Sequence, residues 1–182
     1  FYVFGQVIID KVALMAGFSN KFTFNFDGEE HIQRMADNDG GLLIGAHVGN
    51  WEIAGHLLKR INTKVHIVML EAEHQKIKNM LDDVMTQKKM HIIPIKDDFS
   101  HLFSIKNALQ NNEIVAIHGD RFLEGTNTVE KKFFGKKAKF PLGPFLMAVK
   151  YNKEVSYVNA FKESSSHYHF YATEPLKYES EA

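Results

Sequence analysis

Four apolar runs of strand length, at 42–46, 65–70, 91–95 and 114–117, limit what this chain can fold into more tightly than any other feature. The first, Leu42-Leu43-Ile44-Gly45-Ala46, follows Gly40-Gly41 and has no polar alternation, as expected of a strand covered on both faces. Helix-length stretches separate the runs. Residues 51–61 put Ile53, Leu57, Leu58 and Ile61 on one side. Residues 71–89 turn Ile77, Met80, Leu81, Val84 and Met85 inward, and 101–111 form a third crossover. Strand and crossover alternating in this way predict an α/β domain with a largely parallel central sheet and helices on its faces. A loop over 122–140 and an apolar helix over 143–151 follow. Two alternating strands, 155–161 and 167–173, then read as an antiparallel pair at the edge of the sheet.

At the start, Phe1, Phe4, Ile8, Val12 and Met15 recur near helical spacing, predicting a helix over 1–18. It reaches Asp10 and Lys11 too early to span a bilayer. Its polar positions lack the Lys/Arg density of an interfacial helix, so the expectation is a core helix. No linker or repeat divides the chain, which reads as one domain over 1–182. With Phe1 at one end and Ala182 at the other, it is expected to be a piece of a longer protein.

The 22 basic and 22 acidic residues cancel, so no global field argues for a nucleic-acid partner, and any electrostatic function must be local. The absence of cysteine excludes disulfides, zinc–thiolate sites and cysteine nucleophiles.

In open α/β sheets, sites gather beyond the carboxyl ends of strands. Ala46 leads there into His47, and His118 leads into Gly119-Asp120-Arg121. Glu52 follows His47 by five residues, a spacing that in a regular helix turns the side chains roughly 140° apart. They converge only if the backbone between them is not helical, and Gly49-Asn50 tolerates the required angles. Asn50 is also a candidate N-cap for the helix starting at Trp51. So placed, Glu52 fixes the tautomer of His47 and stabilises its imidazolium, giving a general base with its orienting acid. No serine elbow accompanies the pair, which fits direct activation of a substrate hydroxyl or amine. Metal chemistry is not expected, because His47 and Glu52 lack partners at ligand spacing.

The block Gly41-Leu-Leu-Ile-Gly-Ala-His47-Val-Gly-Asn-Trp-Glu52 resembles the first motif of the late acyltransferases of lipid A biosynthesis, within the lysophospholipid acyltransferase superfamily marked by His-x4-Asp/Glu. Gly119-Asp120-Arg121, Phe133-Phe134-Gly135 and Phe140-Pro-Leu-Gly-Pro144 follow in the order of that family's acidic strand end, Phe-Phe-Gly loop and Gly-Pro helix start. The resemblance implies an enzyme that moves a fatty acyl group from an acyl carrier protein or coenzyme A thioester to a hydroxyl or amine of a lipid-like acceptor. No cofactor other than that cosubstrate is implied. His47 and Glu52 would be catalytic. Asn50, Trp51, Asp120, Arg121, Phe133, Phe134 and Gly135 would bind substrate, although Asp120-Arg121 reads equally as a strand-end ion pair. The implied location is the cytoplasmic face of the bacterial inner membrane, peripheral or anchored by a segment outside this chain.

Two departures bear on the acceptor. The second strand ends Met69-Leu70-Glu71 where such enzymes often carry arginine, and Phe140-Pro141-Leu142-Gly143 lacks the acid of a Phe-Pro-Glu-Gly block. Lipid A, an amino-lipid, a polyene pigment and other long-chain amphiphiles therefore stand side by side. A lipid- or carrier-binding module without turnover and a hydrolase activating water are the alternatives. Five lysines interleaved with phenylalanines over 130–140 could hold an anionic headgroup, an acidic carrier protein or a phosphopantetheine arm, or simply face water.

Overall fold

The computed structural model describes residues 2–50, 61–70 and 90–179. The helices expected over 51–61 and 71–89 lie almost wholly outside them, as do Trp51 and Glu52. Helix α1 (Tyr2–Met15) and a short 3-10 turn (Phe18–Lys21) lead into β1 (Thr23–Asp27) and α2 (Glu29–Asp37). Then come β2 (Gly41–Gly45), β3 (Val65–Leu70), β4 (Met90–Ile95), α3 (Ser100–Gln110) and β5 (Ile114–His118). The chain closes with β6 (Thr128–Phe133), β7 (Lys136–Pro141), α4 (Gly143–Lys150), β8 (Glu154–Lys162), β9 (His167–Ala172) and β10 (Leu176–Lys177).

One sheet organises the domain, in the order β1-β9-β8-β2-β5-β3-β4, with β10 attached to β8. The four apolar runs are its parallel heart: β2 pairs with β5 and β8, and β3 with β5 and β4, all in parallel. Within β2 the pleat divides the core. Leu43 faces a cluster with Ile32 and Met35 of α2, while Leu42 and Ile44 face another with Ile105, Ala108 and Leu109 of α3 and Ala148 of α4. Helices thus cover both faces of the strand, which is why it carries no polar alternation.

β8 and β9 are antiparallel as expected, but they do not form the edge. β1 does, lying parallel to β9, with Phe26 stacked on Phe170 at 5.0 Å between ring centroids. Its Phe24-Asn25-Phe26 alternation, together with α2, went unassigned in the sequence. The stretch expected to be a loop over 122–140 contains a separate two-stranded hairpin, β6–β7. Its lysines hid the strands from a search for apolar runs. Helix α1 departs from expectation too, since Tyr2, Val3, Phe4, Ile8, Ile9 and Val12 are exposed rather than packed in the core. None of the described helices is long and apolar enough to cross a membrane.

Candidate active site

β2 and β5 are neighbours in register, Gly45 opposite His118, and the Gly119 N–H donates to the Gly45 carbonyl at 2.9 Å. His47 and Asp120 each lie two residues past that last pair, so the two strand ends deliver them to the same point. The Asp120 carboxylate takes both N–H groups of His47. Oδ2 accepts from the backbone at 3.0 Å, and Oδ1 lies 2.9 Å from ring Nδ1. A carboxylate can only accept, so the proton resides on Nδ1 and Nε2 keeps its lone pair. Burial raises the Asp120 carboxyl, but the His47 ring and backbone N–H groups outweigh it and hold the group below its ordinary range. The pair is partly shielded, with side chains 22% and 30% exposed.

His47 reaches this position because its strand is interrupted. From Ile44, opposite Tyr157, to Gly49, opposite Ala160, the β2 chain takes five steps where β8 takes three. The surplus arches away from the sheet with His47 within it. Pairing then resumes: Gly49 bridges Ala160, and the Asn50 N–H donates to the Ala160 carbonyl at 2.8 Å. Gly49 has φ +76°, and a Cβ there would sit 1.9 Å from that carbonyl oxygen, so no other residue fits.

Asn50 fastens the far end of the arch. Its buried side chain donates to the Tyr168 hydroxyl at 3.5 Å, and Tyr168 donates to Asp10 Oδ2 at 2.5 Å. Asp10 also pairs with the buried Lys162. Burial first, then the bond to Asp10, raises the Tyr168 phenol well above its ordinary range. Helix α1 is thereby tied to the arch through one polar chain, and Asn50, expected from the sequence as a substrate contact and N-cap, is part of it.

His118, which the sequence placed only as the residue before Gly119-Asp120, lies tilted against His47 with ring centroids 4.1 Å apart. Burial, then the nearby charges of His47 and Arg121 against the opposing Asp120, lowers it from 6.5 to about 4. His118 is neutral at physiological pH and does not compete with His47 for Asp120. Ligand atoms of His47, His118 and Asp120 all lie within 4.8 Å of one another, a grouping able to hold a metal ion that spacing along the chain did not reveal.

Arg121 is exposed beside Asp120. Phe133, Phe134 and Gly135 form the tip of the β6–β7 hairpin, where Phe134 is 92% exposed and meets solvent rather than the dyad. Val48, Phe122 and Leu123, next to His47 and Asp120 in sequence, are exposed apolar side chains.

An open, mostly parallel sheet that sets a histidine against a carboxylate at its carboxyl edge is a scaffold on which proton transfer can be built. The chain belongs to the bacterial lipid A biosynthesis acyltransferase family, whose profile matches residues 3–182. Phosphatidylinositol mannoside acyltransferases from two strains of Mycobacterium tuberculosis are each 27% identical to it over 124 residues, 67% of this chain and 39% of theirs. The matched stretch thus spans well under half the length of these curated relatives.

Proposed function

We propose that this chain carries the catalytic centre of an acyltransferase that moves a fatty acyl group from a thioester to a hydroxyl or amine of a membrane-borne lipid. The contact between His47 Nδ1 and Asp120 Oδ1, inside the stretch that matches the family, carries the reading. His47 Nε2 takes the proton as the acceptor heteroatom attacks the thioester carbonyl. The new C–O or C–N bond forms, the tetrahedral intermediate collapses, and the C–S bond breaks. The same imidazolium then returns its proton to the departing thiolate. Asp120 keeps the tautomer and balances the transient charge. Arg121 is assigned to the developing oxyanion or to a substrate phosphate.

Glu52 lies outside the described residues, and a role for it in positioning His47 stands beside that of Asp120, which meets Nδ1. The donor is an acyl carrier protein or coenzyme A thioester. The acceptor is a lipid with a sugar headgroup, in keeping with the family name and with the names of the relatives. The work place is the cytoplasmic face of a bacterial inner membrane. No cofactor enters these steps, and a metal on His47, His118 and Asp120 would occupy the nitrogen or carboxylate that the proton transfer uses. Chelator treatment should therefore leave the rate unchanged.

The test is incubation with acyl thioester and lipid extract, following thiol release and acylated lipid by mass spectrometry. His47→Ala should lower the rate ~10²–10⁴-fold. A loss under tenfold removes His47 from the mechanism, and free fatty acid without acylated lipid points to hydrolysis instead.

A further inference from the structure

The β6–β7 hairpin stands apart from the central sheet as its own two-stranded unit. Isolated hairpins are marginal in water, and this one carries two features that weaken it further. Its turn has positive φ at both central residues, 46° at Phe134 and 79° at Gly135, the mark of a type I′ turn. That turn favours Asn, Asp or Gly at the first position, and a bulky aromatic there is a backbone outlier. Directly across the ladder, Lys132 faces Lys137, a like-charge pair that disfavours the fold, although Glu130 lies 2.7 Å from Lys137. The outcome is an aromatic tip, Phe134 at 92% and Phe133 at 54% exposure, above a collar of exposed lysines. Outliers of this kind persist where something outside the fold uses them.

The location of the hairpin indicates what uses it. β2, β3, β4 and β5 are parallel, so the segments that follow them emerge at one edge of the sheet. β5 runs through Asp120 at that edge into the hairpin. Val48 follows β2, Phe99 and Phe103 follow β4, and Phe122 and Leu123 follow β5; all are exposed. One edge therefore gathers the proton-transfer site, several unburied apolar side chains and a basic hairpin with an aromatic tip. Apolar tips beneath a cationic collar match the two layers of an anionic bilayer, acyl region and phosphate region.

We propose that the β6–β7 hairpin docks this domain on an anionic lipid bilayer, inserting Phe134 and Phe133 while Lys131, Lys132, Lys136 and Lys137 meet the phosphates, so that the carboxyl edge of the sheet faces the membrane. An acidic carrier protein could meet the lysines but gives no reason for the outward aromatic tip. The inference rests on the reading of a membrane-active enzyme. Its test needs no acyl donor, so vesicle binding and turnover can fail independently.

Flotation with phosphatidylcholine vesicles, with and without phosphatidylglycerol, measures the docking directly. Binding should require phosphatidylglycerol and weaken as salt rises. Phe134→Asn is the informative variant, because Asn-Gly is the pair a type I′ turn prefers. Its melting temperature should hold or rise while vesicle affinity falls about tenfold, as for removal of one inserted aromatic side chain. Lys132→Gln should cost about fivefold and flatten the salt dependence. Undiminished binding by Phe134→Asn overturns the proposal. So does equal binding to neutral vesicles, or a hairpin whose lysines matter only for an acidic carrier protein.

Discussion

Asp120→Asn tests whether the contact at the site is the working one. The wild-type carboxylate accepts twice, from the His47 backbone at 3.0 Å and from its ring at 2.9 Å. An asparagine offers one acceptor and one donor, so only one of these bonds survives. If the amide oxygen keeps the backbone N–H, its NH2 faces Nδ1 and selects the other tautomer, with the proton on Nε2 and the base blocked. If it keeps the ring, the arch loses its tether and the negative charge is still gone. Carboxylate and imidazolium about 4 Å apart attract by about 1–4 kcal/mol between bulk-water and protein-surface screening. The side chains are 22% and 30% exposed, so the lower half of that range applies. Adding the tautomer penalty, Asp120→Asn should reduce kcat by ~10²–10³, with the folded structure kept. Thioester turnover with saturating lipid acceptor measures it, alongside Glu52→Gln under the same conditions. A loss below tenfold for Asp120→Asn with a large loss for Glu52→Gln would return the orienting role to Glu52 and refute the reasoning.

Three further outcomes follow from the same neighbourhood. Gly49→Ala drives a Cβ to within 1.9 Å of the Ala160 carbonyl oxygen at φ +76°, so urea unfolding should show a loss on the order of 2–4 kcal/mol and activity should fall with it. His118 titrates at about 4 when folded against 6.5 ordinarily, so between those values the unfolded chain binds the extra proton. Its contribution is therefore fully present above 6.5 and is lost as pH falls toward about 4, and His118→Gln should flatten the denaturation midpoint across that window. Asp10→Ala leaves the Lys162 side chain, only 5% exposed, with the Ser165 carbonyl but no carboxylate, which should cost about 3–5 kcal/mol by chemical denaturation. Replacing Lys162 by Met in the same chain should recover most of that loss.

The central fold was legible because its strands are apolar on both faces and its crossovers are helix-length. β2, β3, β4 and β5 all fall within a residue or so of the runs that announced them. The hairpin was not legible, because its strands are lysine-rich and its turn lacks the Asn-Gly pair that would mark it. β1 carried a readable alternation, Phe24 and Phe26, but only pairing with a strand more than a hundred residues away makes it an edge. The site divided in the same way. His47 and Asp120 were both singled out as strand ends, yet their mutual contact spans 73 residues of sequence. Glu52 is near His47 in sequence, whereas only sheet order brings the distant strand end Asp120 beside it. The contact of His118 with His47 is likewise a product of adjacent strands. For α1, the apolar spacing was read correctly and its destination was not, because periodicity reports a face and not what covers it.

The surplus in β2 has a further consequence, which comes from parity. Because two residues are added and not one, the pleat re-enters in phase, and Gly49 and Asn50 meet β8 on the sides they would have taken in an unbroken strand. Excising any pair of residues from the arch would let the ladder close seamlessly, leaving an inert but intact scaffold. Removing a single one would turn Asn50 away from Tyr168.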